Sequence, residues 1–253
     1  MPPQLAARIA LIVAAAVALG ALLLCMTQSA FALAQTSAIM TPVLSPDRLN
    51  AKGALTLGVD YSGGEFGVPS PVSRAVVKLP AGLGLDIPSL RSCSAARLQA
   101  HGAGGCPPQS RIGSGRALVE AHAGSLVITE SISLSLFVGP PQSFQPAFEI
   151  LGQGFTPMEK RIVLGGAVAP SDAPYGEEMV INIPPVPTLP LEPDASMATL
   201  TLTVGTNAHR LARGANTVVV PRSCPAGGFP FAAEFTYADG STGNVLATAS
   251  CPR

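Results

Sequence analysis

An all-β chain folded as an antiparallel β-sandwich, with about eleven short strands and one short helix, is what this sequence predicts. Three observations carry that reading. Apolar and polar residues alternate with period two along segment after segment. The 25 prolines and 26 glycines punctuate those segments, against only 12% charged residues, which favours short strands and turns over helices. Strand patterns do not alternate with helical ones in the manner of a βαβ fold. No repeat of fixed period is present, although Cys-Pro at 106–107 and again at 224–225 leaves two related halves open within 51–253.

Residues 1–34 stand outside that fold because they carry the parts of an export signal in order. Arg8 is their only charge, 9–26 is an apolar run, and Ala32-Leu33-Ala34 is a small-x-small cleavage site. The expected cut follows Ala34. A membrane anchor over an uncleaved 9–26 is the alternative, since 18 apolar residues approach the roughly 20 of a span. Gly20 inside the run and the site directly after it favour cleavage. Cys25 does not make a lipoprotein signal, because bulky Leu24 precedes it where a small residue is needed. The mature 219 residues can bury a sizeable core, as one large all-β domain or two small ones. They hold 14 basic and 15 acidic residues, which argues against a polyanion-binding surface and against nucleic acid as a partner.

Four cysteines remain: Cys93, Cys106, Cys224 and Cys251. An even count in an exported chain implies disulfides, and four cysteines allow three pairings. Cys93 with Cys106 and Cys224 with Cys251 each close a short local loop, and each bridge contributes roughly 3 kcal/mol in a chain-entropy account. Neither pair has the Cys-x-x-Cys spacing of a zinc site.

In chain order, 35–50 are small and polar and read as a flexible mature N-terminus. Along 54–61, Leu55, Leu57, Val59 and Tyr61 alternate with Thr56, Gly58 and Asp60, a half-buried strand that ends at Ser62-Gly63-Gly64. A shorter strand follows at 73–79, then turn-rich 82–88. The one helical stretch, 94–100, lies inside the first cysteine loop and is expected to cap a sheet edge. Strands at 112–121 and 126–138 come next. Leu126, Ile128, Ile132, Leu134, Leu136 and Val138 share one register, and Thr129, Ser131, Ser133 and Ser135 the other. Glu130 interrupts the apolar register. A bulge or strand end is the ordinary explanation, since an unpaired carboxylate in a core is costly; a functional buried carboxylate is the other.

Gly139-Pro140-Pro141 is expected to close that strand, with further strands at 146–151, 161–169 and 178–183. Five prolines between 184 and 193 supply no ladder donors, so that passage is a stiff extended crossover. Along 197–204, Ala198, Leu200, Leu202 and Val204 alternate with Thr199, Thr201 and Thr203. After 217–220 comes the strand around which the chain is organised, 229–237, which puts Phe229, Phe231, Ala233, Phe235 and Tyr237 on one face and Glu234 on the other. Asp239-Gly240 turns the chain, and 244–250 returns antiparallel to Cys251.

Chemistry is sparse in this sequence. His101, His122 and His209 have no second titratable partner at a recognisable spacing and read as loop or strand-edge histidines. No zinc-protease motif, nucleophile elbow or phosphate loop occurs, and no cofactor is implied. Gly113-Ser114-Gly115-Arg116 reads as a bulge at a strand start, and 239–244 as a solvated turn with too few carboxylates for calcium. Glu177 and Glu178 diverge if they sit in a strand. The expectation is a non-catalytic exported protein with structural or interaction duties at the cell envelope, its partner a cell-wall polymer or an envelope protein. A carbohydrate-binding or adhesive module is the alternative, and it needs the 229–237 aromatics to face solvent. A hydrolase assembled from scattered residues is the third, and it needs converging carboxylates in a cleft.

The passages 77–83, 106–113 and 216–252 resemble a group of uncharacterised exported proteins of soil actinobacteria. In these a Cys-to-Cys-Pro loop precedes a β-rich middle and a closing Cys-Pro-x-Gly-Gly-Phe-Pro-Phe segment, as at 224–231 here. The resemblance covers about half of the mature chain; it implies export and a β-sandwich, and supplies no activity or site residues.

Overall fold

Period-two alternation becomes strand almost everywhere the sequence shows it. The computed structural model describes residues 36–252, apart from 65–66, 87–89, 124–125, 143–144, 156–158, 189, 191 and 206–217. The export signal and His209 lie outside the described residues. The strands are β1 (Ser37–Ser45), β2 (Lys52–Ser62), β3 (Val72–Pro80), β4 (Gly84–Leu85), β5 (Arg111–Ala123), β6 (Leu126–Gln142) and β7 (Gln145–Gln153). They continue with β8 (Arg161–Pro170), β9 (Tyr175–Asn182), β10 (Ser196–Gly205), β11 (Val218–Val219), β12 (Phe229–Tyr237) and β13 (Thr242–Ala249), and α1 is the helix Ala95–His101.

All pairings are antiparallel, as expected, but they build one continuous sheet rather than two separately bonded layers. Its order is β13-β12-β3-β9-β8-β7-β6-β5-β10-β2, with β1 on the free side of β2 and the short β11 and β4 continuing from its start. The sheet curls until its long edges, β1 and β13, lie alongside each other without a ladder. The enclosed space is the core, filled from β12 by Phe229, Phe231, Phe235 and Tyr237 and from β2 by Leu55, Leu57, Val59 and Tyr61. Tyr61 meets Phe235 edge-on, with ring centroids 5.2 Å apart, and this contact helps tie the two edges of the curl.

Several expectations need correcting. The N-terminal segment read as flexible is β1, which buries Met40 and Pro42 against the core. Ile39 and Val43 on its solvent face blur the alternation that would have marked it. β6 does not stop at Gly139; it runs through Pro140 and Pro141, with a register shift there because prolines cannot donate to the ladder. In β10 a shift between Met197 and Thr199 carries Met197, rather than Ala198, into line with inward-facing Val119. The bulge foreseen near Gly113 is present, between Arg111 and Gly113, where added side chains would strike the Thr203 and Thr201 carbonyls from Gly113 and Gly115.

Both cysteine pairs form as expected, with Cα–Cα distances of 5.5 Å for Cys93–Cys106 and 5.8 Å for Cys224–Cys251. Ser94 caps α1 by accepting from the Arg97 amide. The helix lies on the outer face of the sheet and not at an edge: Leu98 packs with Cys93, Cys106, Phe137 and Leu151. Phe137 and Leu151 occupy the outward register of β6 and β7, and without this strapped cap they would be bare.

Candidate functional site

The curl is not filled equally at both ends. Where β12 supplies four aromatic rings the interior is tight; where β5, β6 and β10 supply Ala117, Val119, Ile132, Leu134 and Met197 it leaves a cavity of about 100 Å³. Gly152, Ile162 and Leu164 from β7 and β8 complete its wall, with Val72 and Ile183 at the ends of β3 and β9. A space of this size accepts a small ring or a short alkyl group.

Over that end passes the proline crossover, which leads from β9 to β10 across the four intervening strands. The crossover is extended, as foreseen, but also folded back on itself: the Ala195 amide donates to the Val186 carbonyl at 2.9 Å, and Thr188 Oγ1 to the Pro193 carbonyl at 2.7 Å. Val186 and Ala195 face the cavity. Lys160, on the β7–β8 connection, donates from Nζ to the Pro187 carbonyl at 2.7 Å and so pins the crossover at the rim.

Glu130 also faces this cavity, and here the expected bulge is absent. The β5–β6 register runs without a break from the Gly113–Leu136 pair to the Ala123–Leu126 pair, placing Glu130 opposite Val119. Its side chain therefore stays in the inward register. Only 3% of the residue is exposed, and Oε1 has no hydrogen-bond partner. The strand tolerates this because the β5–β6 hairpin outlasts its neighbour: β7 pairs with β6 only as far as Ser133 opposite Gln153, so Glu130 leans over the cavity instead of into packed side chains. The sequence shows that Glu130 sits in the apolar register, but not the unequal strand lengths that open space beside it.

Two other carboxylates with a covered, unpartnered oxygen, Glu149 and Glu177, lie elsewhere. Glu149 faces outward between Phe137 and Gly165 in the sheet register, 5% exposed, and burial pushes its carboxyl above the ordinary range. Glu177 faces inward opposite Leu79 and Pro170, at the far end of β8 and β9 from Ile162 and Ile183, and burial raises it likewise. Glu178 points the other way, accepting from Ser171 Oγ at 3.2 Å, so the adjacent pair diverges as the pleat requires. These three inward or covered carboxylates do not converge on one cleft.

The aromatics of 229–237 are interior. Phe231 and Phe235 are 1% and 2% exposed, so the surface row that a sugar platform would need is not there. Burial, and then the proximity of Tyr237, raises the Tyr61 phenol well above its ordinary value, and Tyr237 is raised by burial and by Asp239. Asp239 itself is held below the carboxylate range by the hydroxyl and amide of Ser241, at 2.6 and 2.8 Å, in the hairpin turn foreseen there. His101 is exposed in the last turn of α1, and His122 is half-buried on β5. On the outer face of β10, β5 and β6, Thr201, Thr203, Ser114, Ser133 and Ser135 line a shallow groove with Arg111 and Arg116.

No protein-family model, curated protein or solved structure matches this chain.

Proposed function

We propose that this is a non-catalytic, exported protein of the cell envelope that works by binding, and that it holds a small apolar ligand or apolar group at one end of its curled sheet. The observation that carries this reading is the cavity under the proline crossover, walled by Ala117, Val119, Ile132, Leu134, Gly152 and Met197. Apolar walls with a few placed polar groups are the usual form of a small-molecule site. Two disulfides fit an oxidising compartment outside the cytoplasm. Acid–base chemistry needs two groups in reach of one substrate, whereas Lys160 at this rim is engaged by Pro187.

The test is a pull-down from cell-envelope extract with the full chain, read for small molecules as well as polymers and proteins. Gly152→Leu, which grows a side chain into the cavity, is the control. A small molecule retained by the wild type and lost by Gly152→Leu supports the reading; identical retention by both sinks it. A second reading, the carbohydrate-binding one, is favoured by the hydroxyl-lined outer groove alone. Glycan retention abolished by Arg116→Ala and indifferent to Gly152→Leu would establish it instead.

A further inference from the structure

The cavity is apolar except for one feature that apolar binding does not explain: a carboxylate oxygen, Glu130 Oε1, buried against it without a partner. An ionised group in such a place is costly unless paired. Among the described residues no cation pairs with it. The ion pairs Lys52–Asp86 and Lys78–Glu234 are remote in the sheet, and Lys160, which lines the cavity, donates instead to Pro187.

We infer that Glu130 is a specificity-determining residue of this site, and that the ligand class is a small apolar body ending in a protonated amine. The inference rests on the reading of the cavity as a binding site and adds the chemistry of its occupant. An ammonium group would donate a charge-assisted hydrogen bond to Oε1 and neutralise the buried charge, while its ring or alkyl part fills the space between Val119, Ile132 and Met197. An alcohol of the same shape supplies a hydrogen bond but no charge. A carboxylate of the same shape meets like charge. The cavity volume of about 100 Å³ restricts the buried part to a single ring or a short chain.

The experiment is calorimetric titration of the full chain with four probes of one shape: toluene, benzyl alcohol, benzylamine and benzoate, followed by the same series on Glu130→Gln. In the wild type, benzylamine is expected to bind about tenfold or more tightly than benzyl alcohol, and benzoate weakest. In Glu130→Gln the amine advantage is expected to shrink to about twofold or less while toluene still binds, and a cooperative urea-unfolding transition reports that the variant is folded. Equal affinity for amine and alcohol in the wild type overturns the inference while leaving the cavity reading intact. Retention of the amine advantage in a folded Glu130→Gln does the same. Failure of all four probes to bind overturns both. Should Glu130→Gln lose every probe, the wild-type ratio of amine to alcohol decides alone.

Discussion

β6 and β12 obey the same pleat and do opposite things with it. In β12 every inward position is apolar and four of the five are rings, while its carboxylate, Glu234, faces water and pairs with Lys78 on β3. In β6 the inward positions run Ile128, Glu130, Ile132, Leu134, Leu136 and Val138, and the carboxylate is on the wrong side for a core. β12 is flanked by β13 from Phe229 to Thr236 and by β3 from Ala232 to Tyr237, and each of its inward side chains is buried. β6 projects beyond β7, and at that projection the interior gives way to a cavity. The contrast teaches that at Glu130 an inward carboxylate is accommodated by incomplete packing beside it.

The largest effect should come from emptying the tight end. Phe231→Ala removes a ring that is 1% exposed, and by the usual cost of deleting a buried aromatic it should destabilise the fold by about 3–5 kcal/mol in urea unfolding. A loss under about 1 kcal/mol would mean that β12 is not a packed core strand. Next, replacing Cys224 and Cys251 by serine opens a bridge that spans 27 residues and clamps the β12–β13 hairpin, at a cost of about 3 kcal/mol. Opposite in sign, Glu130→Leu replaces a carboxylate that has an unpartnered oxygen with an apolar side chain in an apolar surround, and should raise stability by about 1–3 kcal/mol. A destabilised Glu130→Leu would break the comparison, since it would show that β6 needs its charge for folding.

How much of this was legible in the sequence follows from the same contrast. Strand 229–237 is read correctly to the residue because its pattern has no exceptions and its turn chemistry, Asp239-Gly240, is explicit. The disulfide partners follow from loop length. β1 was illegible because Ile39 and Val43 are exposed apolar residues on an outer edge, and period-two reading assumes a polar outer face. The seat of α1 was half legible: Phe137 and Leu151 stand in outward registers and demand cover, but nothing in the chain says that the cysteine loop provides it. The candidate site was the least legible. Glu130 could be singled out as an intruder, yet whether an intruder is excused by a bulge or by a cavity depends on where a neighbouring strand ends, a tertiary fact.

A pH series separates the covered outer face from the interior. Glu149 is buried on the α1 side of the sheet with Oε2 unpartnered, and burial raises its carboxyl above the ordinary 4.5. A carboxyl raised in the folded state makes the fold most stable below the ordinary value and costs stability as pH climbs through the raised one. Glu149→Gln should therefore lose less stability than the wild type between about pH 4.5 and neutrality. Parallel curves would mean that water reaches this carboxylate beneath the helix.

The smallest change belongs to the carboxylate that β12 turns outward. Glu234 and Lys78 are bonded at 2.5 Å, but their side chains are 49% and 26% exposed, and the bond holds the Lys78 amine above its ordinary value. Solvent and salt screen such a pair, so Glu234→Gln should cost no more than about 1 kcal/mol, and the difference should fade as ionic strength rises toward 1 M. Glu130→Leu, whose charge sits where ions do not reach, should keep its full effect across the same salt series. The two substitutions would then differ in sign and in salt dependence, because Glu234 is paired with Lys78 in solvent whereas Glu130 carries a buried, unpartnered oxygen.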